Sequence, residues 1–147
     1  MEYTKIKDGI VFGRLMEMIE TVVIPEGYQE IQNEVFAGYY TNLRRIVCPT
    51  TLVNAGYRCF SCSDTVEVIL NDSLQSIGEE AFQGAKRIEE LTVPSSVNSI
   101  GENAFRGCYS LKTVTINKPE NSLSGAPWGA PATTEIIWND PQDITES

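Results

Sequence analysis

The chain has 147 residues, 41% of them hydrophobic and 21% charged, with a formal net charge of −9. That is ordinary globular usage and enough chain for one domain with its own core. The acidity argues against nucleic acid and anionic membrane surfaces as partners, because phosphate binding needs a Lys/Arg surface. No histidine is present, which removes the commonest general base and the commonest metal ligand together.

The first residues, "MEYTKIKDGI", lack the basic start and apolar stretch of a secretory signal. A protein that stays in the cell and one whose leader has been removed remain equal alternatives. No apolar run approaches the roughly 20 residues of a membrane helix, so no membrane insertion is expected. "YTKIKDGIVFGR" reads as strand, Asp8-Gly9 turn, strand, since Asp-Gly between alternating apolar runs is a strong hairpin signal. Residues 1–19 are therefore expected to form an N-terminal hairpin cap, leading into a first strand, "TVVI".

From residue 20 to residue 117 the chain repeats itself. Residues 95–116, "SSVNSIGENAFRGCYSLKTVTI", match residues 72–93, "DSLQSIGEEAFQGAKRIEELTV", at nine of 22 positions. The phenylalanine of "AF" at Phe105 and Phe82 has counterparts at Phe60 and Phe36. Five residues before each stand Ile100, Ile77, Ala55 and Ile31; four before stand Gly101, Gly78, Gly56 and then Gln32. Immediately before stand Ala104, Ala81, Cys59 and Val35; two after stand Gly107, Gly84, Cys62 and Gly38. Each unit closes on an alternating apolar run such as "TVTI". About four units of 22–24 residues result, the second being the most degenerate.

A fixed period of this length marks a solenoid, in which each unit is one coil that can bury its apolar face only against the next. The expected fold is an α/β-type coil capped at both ends, with a parallel sheet on one face and short helical turns on the other. In "LKTVTI", Val114 and Ile116 point inward while Thr113 and Thr115 point out. The return leg "SIGENAF" carries S-x-x-E spacing at Ser99/Glu102 and Ser76/Glu79. That spacing predicts a capping box and a short helical turn, ended by Gly107. Phe36, Phe60, Phe82 and Phe105 are expected to stack as a buried ladder.

The same alignment accounts for the cysteines. Cys59 and Cys62 form a single CxxC, which raises zinc or redox chemistry. However, Cys59 falls in the Ala81/Ala104 slot, Cys62 in the glycine slot, and Cys48 in the inward strand slot of Val93 and Ile116. Cys108 follows its unit's glycine. At least two of the four are expected to be small core residues, and a reduced, structural role is the reading adopted, with no metal and no cofactor.

These residues also carry a family resemblance. The pattern "V..IG..AF.GC..L..V.I", best matched at 97–116 and 74–93, resembles the BspA-like (Treponema-type) bacterial leucine-rich repeats over about residues 20–117. The resemblance implies a right-handed leucine-rich-repeat coil that serves as an adhesin or interaction module. It also implies a secreted or cell-surface location, although a cytoplasmic or phage-encoded protein stays open.

Beyond the repeats, "GAPWGAPATTEIIW" breaks the pattern, and Gly125, Pro127, Gly129 and Pro131 enforce an irregular loop. Residues 118–139 are read as a C-terminal cap with one last strand over 135–138. Trp128 either plugs the final coil or stands exposed as a ligand anchor, and plugging is the reading adopted. Residues 140–147, purely acidic, are expected to be disordered.

No nucleophile elbow, phosphate-binding glycine loop or metal spacing is present, so no enzyme is expected. Glu79–Glu80 and Glu89–Glu90 read as solvated surface, because neighbouring side chains diverge. The Asn71-Asp72-Ser73 sequon is of a kind that arises by chance. What remains is the outward side of the strands: Thr21 and Val23, Arg45 and Val47, Glu67 and Ile69, Glu90 and Thr92, Thr113 and Thr115. One column runs Val, Val, Ile, Thr, Thr. β-Branched residues suit strands in any case, yet an apolar strip also suits a protein contact. The expected protein-binding residues are Val23, Arg45, Val47, Glu67, Ile69, Glu90, Thr92, Thr113 and Thr115, on a chain expected to be monomeric. The alternative is a structural part of a larger assembly, such as a prophage tail or a multi-domain surface protein, making contact through its ends.

Overall fold

A computed structural model describes residues 5–7, 10–12, 20–38 and 42–143, with side chains from residue 20 onward within those ranges. β1 (Lys5–Lys7) and β2 (Ile10–Phe12) pair antiparallel, Lys5 opposite Phe12. The Asp8-Gly9 turn and the other parts of the expected N-terminal cap, 1–4 and 13–19, lie outside the described residues. So do 144–147 of the expected tail, while Asp143 N–H donates to Asp140 in a turn over 140–143.

The next strands come in pairs, one long and one short to a coil. They are β3 (Thr21–Val23) and β4 (Glu30–Ile31), β5 (Arg45–Val47) and β6 (Asn54–Ala55), and β7 (Glu67–Ile69) and β8 (Ser76–Ile77). β9 (Glu90–Val93) and β10 (Ser99–Ile100) follow, then β11 (Thr113–Ile116) and β12 (Glu135–Trp138). All pairings among them are parallel, so the chain is a parallel β-solenoid of about five turns.

The return legs differ from the expectation. No helix is present among the described residues, and the Ser76 and Ser99 that suggested capping boxes sit in β8 and β10 of a second parallel sheet, ordered β10-β8-β6-β4. The reason lies in the backbone on either side of each phenylalanine. Glu34, Arg58, Glu80 and Asn103, two residues before the ring, have φ of 64, 53, 55 and 56°. Gly38, Cys62, Gly84 and Gly107, two residues after, have φ of 62, 52, 70 and 74°. Two left-handed residues four apart forbid a right-handed helical run. The amides turn outward to the next coil instead: Phe60 N–H donates to Ala81 O (2.8 Å), and Phe82 N–H to Ala104 O (2.8 Å). The S-x-x-E spacing is real, but its serine is a strand residue; Ser76 Oγ lies 2.6 Å from Asn54 Oδ1 on the neighbouring coil.

The core fills the space between the two sheets. Phe36, Phe60, Phe82 and Phe105 stack with centroids 5.9, 5.0 and 5.8 Å apart, all fully buried. Each buried ring contributes roughly 2–3 kcal/mol relative to an exposed one. Trp128, 23 residues after Phe105, takes the next place in this ladder. It is buried, packs edge-on to Phe105 at 6.2 Å, and donates from Nε1 to Ser124 O at 2.8 Å. Trp138 covers it in turn at 6.2 Å.

Candidate binding face

The long strands place one outward residue from each coil in register. The first column is Thr21, Arg45 and Glu67, continued by Glu90, Thr113 and Glu135. The second is Val23, Val47 and Ile69, continued by Thr92, Thr115 and Ile137. Inward between them lie Val22, Ile46, Val68, Leu91 and Val114, all buried. All nine residues picked out in the sequence therefore lie on one side of the strands. Glu135 and Ile137 extend the columns by one rung and were not among them.

This face is unequal along its length. Val23 is 64% exposed, whereas Val47 and Ile69 are half-buried. Arg45 Nε donates to Glu67 Oε1 at 2.7 Å across adjacent rungs. Both side chains are about half exposed, so this pair orders the face more than it stabilises the fold. Thr92 is exposed, and Thr113 and Thr115 are half-buried.

The face is also split. β3, β5 and β7 form one three-stranded sheet; β9, β11 and β12 form another. Between β7 and β9 no backbone ladder forms, and a cleft opens there lined by Glu67, Ile69, Leu70, Glu90 and Thr92. The seam falls where two carboxylates, Glu67 and Glu90, occupy the same slot of successive coils. Like charges directly opposite one another oppose strand pairing. Everywhere else in that column a carboxylate meets Arg or Thr.

The remaining candidates resolve into structural roles or surface. Cys48, Cys59 and Cys108 are buried, and burial pushes their thiols up, Cys48 to about 12 and Cys108 to about 11. Cys62 is exposed and free. Among the described residues no group of three His, Cys, Asp or Glu side chains could hold a metal ion. No helix is long and apolar enough to cross a membrane among them. The sequon residue Asn71 uses its side-chain amide to donate to Cys48 O on the preceding coil. One expectation needs correcting: Glu80 is not solvated surface but half-buried, and accepts a hydrogen bond from Arg58 Nε. Spacing alone could not show this, because the partner lies 22 residues away on the previous coil. Glu89 pairs with Lys112 in the open, at 3.1 Å.

Comparison with known proteins agrees with this geometry. The family of BspA type leucine rich repeat regions matches residues 10–126 in six copies. No curated protein matches the chain. Among solved structures, the pneumococcal vaccine antigen PcpA superposes with a TM-score of 0.72 at 22% identity, covering 92% of this chain and 36% of that one. A leucine rich cell surface protein from Faecalibacterium prausnitzii gives 0.70 at 19% identity, over 84% of this chain and 33% of that one. A leucine rich repeat protein of T. pallidum gives 0.57 at 20%, over 96% and 80%. The chain thus spans about a third of the length of the first two.

Proposed function

The chain belongs to the BspA-type leucine-rich repeat family, and from that premise we propose that it binds another protein through the outward face of its long strands, without catalysis. The observation that carries this reading is the aligned strip Val23–Val47–Ile69, β-branched apolar side chains on the outward face of which Val23 is exposed and Val47 and Ile69 are half-buried. A preformed face loses little conformational entropy on binding. At about 4.8 Å per rung, six rungs give a face roughly 25 Å long, the scale of a peptide or small-protein contact. The strip is flanked by Arg45 and by the paired acids of the seam. The partner surface it suits is therefore apolar at its centre and basic where it meets Glu67 and Glu90. A secreted or surface-displayed location goes with this reading, supported by the cell-surface description of the F. prausnitzii protein.

The test is the triple variant Val23→Lys, Val47→Lys, Ile69→Lys, compared with the parent for affinity to a partner identified with the parent chain. Loss of at least about tenfold in affinity, with the fold retained by circular dichroism, is expected. Undiminished binding by a folded variant sinks the face. It would favour the reading in which the chain is a structural part of a larger assembly, contacting through its ends. One observation favours that second reading: β12 pairs only with β11 among the described residues, leaving its far edge open.

A further inference from the structure

On the return legs, away from the strands, the solenoid carries a groove of about 440 Å³ whose charge is opposite to that of the chain as a whole. Arg58, Lys86 and Arg106 line it, together with Gln83 and Tyr109. No carboxylate lines it. Of the acids nearest in the repeat, Glu80 is held by Arg58, and Asp64, in the Lys86 slot one coil earlier, makes no ion pair among the described residues. Lys86 and Arg106 have no ion-pair partner among the described residues. Two cations without ion-pair partners thus line one groove, and an anion bound between them is attracted by both.

The floor is the column Cys62, Gly84, Gly107. In this floor Gly84 and Gly107 carry no side chain, so at Gly107 a ligand can approach the backbone, while the Cys62 sulfur lies against Gly84. Its amides are already spent along the solenoid: Cys62 N–H donates to Gln83 O and Gly84 N–H to Arg106 O, both at 2.7 Å. The series stops at Gly107, whose N–H donates to no protein acceptor among the described residues. A peptide strand would therefore find one backbone donor here and no edge to pair with. Recognition must come from side chains.

Tyr109 is the last element. Its side chain is 79% exposed, although the same slot holds Lys86 and Asp64 in the preceding coils. A large apolar ring held in solvent beside unpaired cations offers a platform for a flat ligand with an apolar face. A groove of this size lies within the about 300–1,000 Å³ range of small-molecule sites. A guanidinium fork takes a carboxylate in two parallel hydrogen bonds, an ammonium adds a point charge, and Gln83 offers both donor and acceptor to hydroxyls. We propose that this groove binds an acidic sugar: a pyranose ring lying on Tyr109, with its carboxylate between Lys86 and Arg106 and its hydroxyls reaching Gln83. Free sugar acids and the uronate units of a glycan share this chemistry.

Cys62 provides the readout, since it lies in the groove and is exposed while Cys48, Cys59 and Cys108 are buried. The rate of Cys62 alkylation by iodoacetamide, an uncharged reagent, is measured on the intact chain with digalacturonic acid as the probe. Calorimetry runs in parallel. Saturating digalacturonate is expected to slow alkylation several-fold. Arg106→Gln and Lys86→Gln are each expected to weaken binding about tenfold, and Tyr109→Ala about threefold. Neutral galactobiose is expected to give neither protection nor heat. Free galacturonate matching the disaccharide would identify one sugar as the whole ligand; tighter binding of the disaccharide would identify a glycan segment. Either result supports the proposal. Absence of both protection and heat with digalacturonate overturns it. Equal protection by a tetraglutamate peptide or by inorganic phosphate also overturns it, showing an acidic-peptide groove in the first case and an unselective anion patch in the second.

Discussion

Two columns of small residues run along the return legs: Gly56, Gly78 and Gly101 before the aromatic ladder, and Gly38, Cys62, Gly84 and Gly107 after it. In sequence both are glycine slots of the repeat. In the structure they answer to different constraints. A Cβ at Gly78 would lie 2.7 Å from the Gly56 carbonyl carbon, and one at Gly101 would run into the Glu79 backbone. Coils touch there, backbone on backbone, and neither side can yield. The second column is looser: a Cβ at Gly38 meets nothing closer than 3.9 Å, one at Gly107 nothing closer than 3.4 Å, and only at Gly84 does it press on a side chain, the Cys62 sulfur at 3.1 Å. Glycine is used there for its positive φ. Cys62 shows that a side chain can be accommodated, at φ 52°. The first column sets how closely the coils stack; the second lies at the surface and is free to become the floor of a groove.

The variant that presses hardest on this contrast is Gly101→Ala. It is expected to cost about 3 kcal/mol or more, read as a fall in urea midpoint, because the only relief is to push neighbouring coils away from each other. A loss below about 1 kcal/mol would mean the columns do not differ. Gly107→Ala comes next. A Cβ there lies 3.4 Å from Gly84, ordinary contact, so only the left-handed backbone opposes it, at about 1–2 kcal/mol. Cys62→Gly runs the other way and is expected to be neutral or to add up to about 1 kcal/mol of stability. It should also lessen the cost of Gly84→Ala, whose Cβ would lie 3.1 Å from the Cys62 sulfur. Additive effects in that double variant would show that the two neighbours do not share space.

The smallest expected effect lies on an exposed corner joining the first two coils. Thr50 donates to Glu26 from its backbone N–H (3.0 Å) and its hydroxyl (2.7 Å), holding that carboxyl below the usual range. A lowered folded pKa means the contact contributes stability above the unfolded pKa. That contribution is lost as pH falls through the folded one. Glu26→Gln should therefore slightly flatten the decline of the urea midpoint with acidity. An unchanged or steeper decline would show that the corner bond does not couple to folding.

Much of the coil was legible because a solenoid writes each contact once per turn. The spacing of Phe36, Phe60, Phe82 and Phe105 predicted a ladder, and the rings stack. The same alignment placed Cys59 in an alanine slot, and it is buried there. What misled was local chemistry read without its neighbours. S-x-x-E looked like a capping box, yet the backbone beyond it is bent by left-handed φ at Glu80 and Asn103; asparagine tolerates that conformation, but glutamate carries no mark of it in sequence. The outward columns of the long strands were legible as alternation within each strand. The basic groove was not, because Arg58, Lys86 and Arg106 occupy three different slots in three different coils and share no period.

The sequence by itself determined the period, the identity of the inward residues and the columns that the outward residues fill. These follow from one rule, that each coil must bury its apolar side against the next, and that rule acts on every unit alike. Only the tertiary structure decided where neighbouring coils disagree: the unpaired seam at Glu67 and Glu90, the Arg58–Glu80 pair, and the cluster of cations around Gly84. The first two arise from side chains 22 or 23 residues apart meeting at one rung spacing, and the third from different slots of three coils converging on one groove. The energy of such a meeting belongs to the pair and is written in neither residue alone.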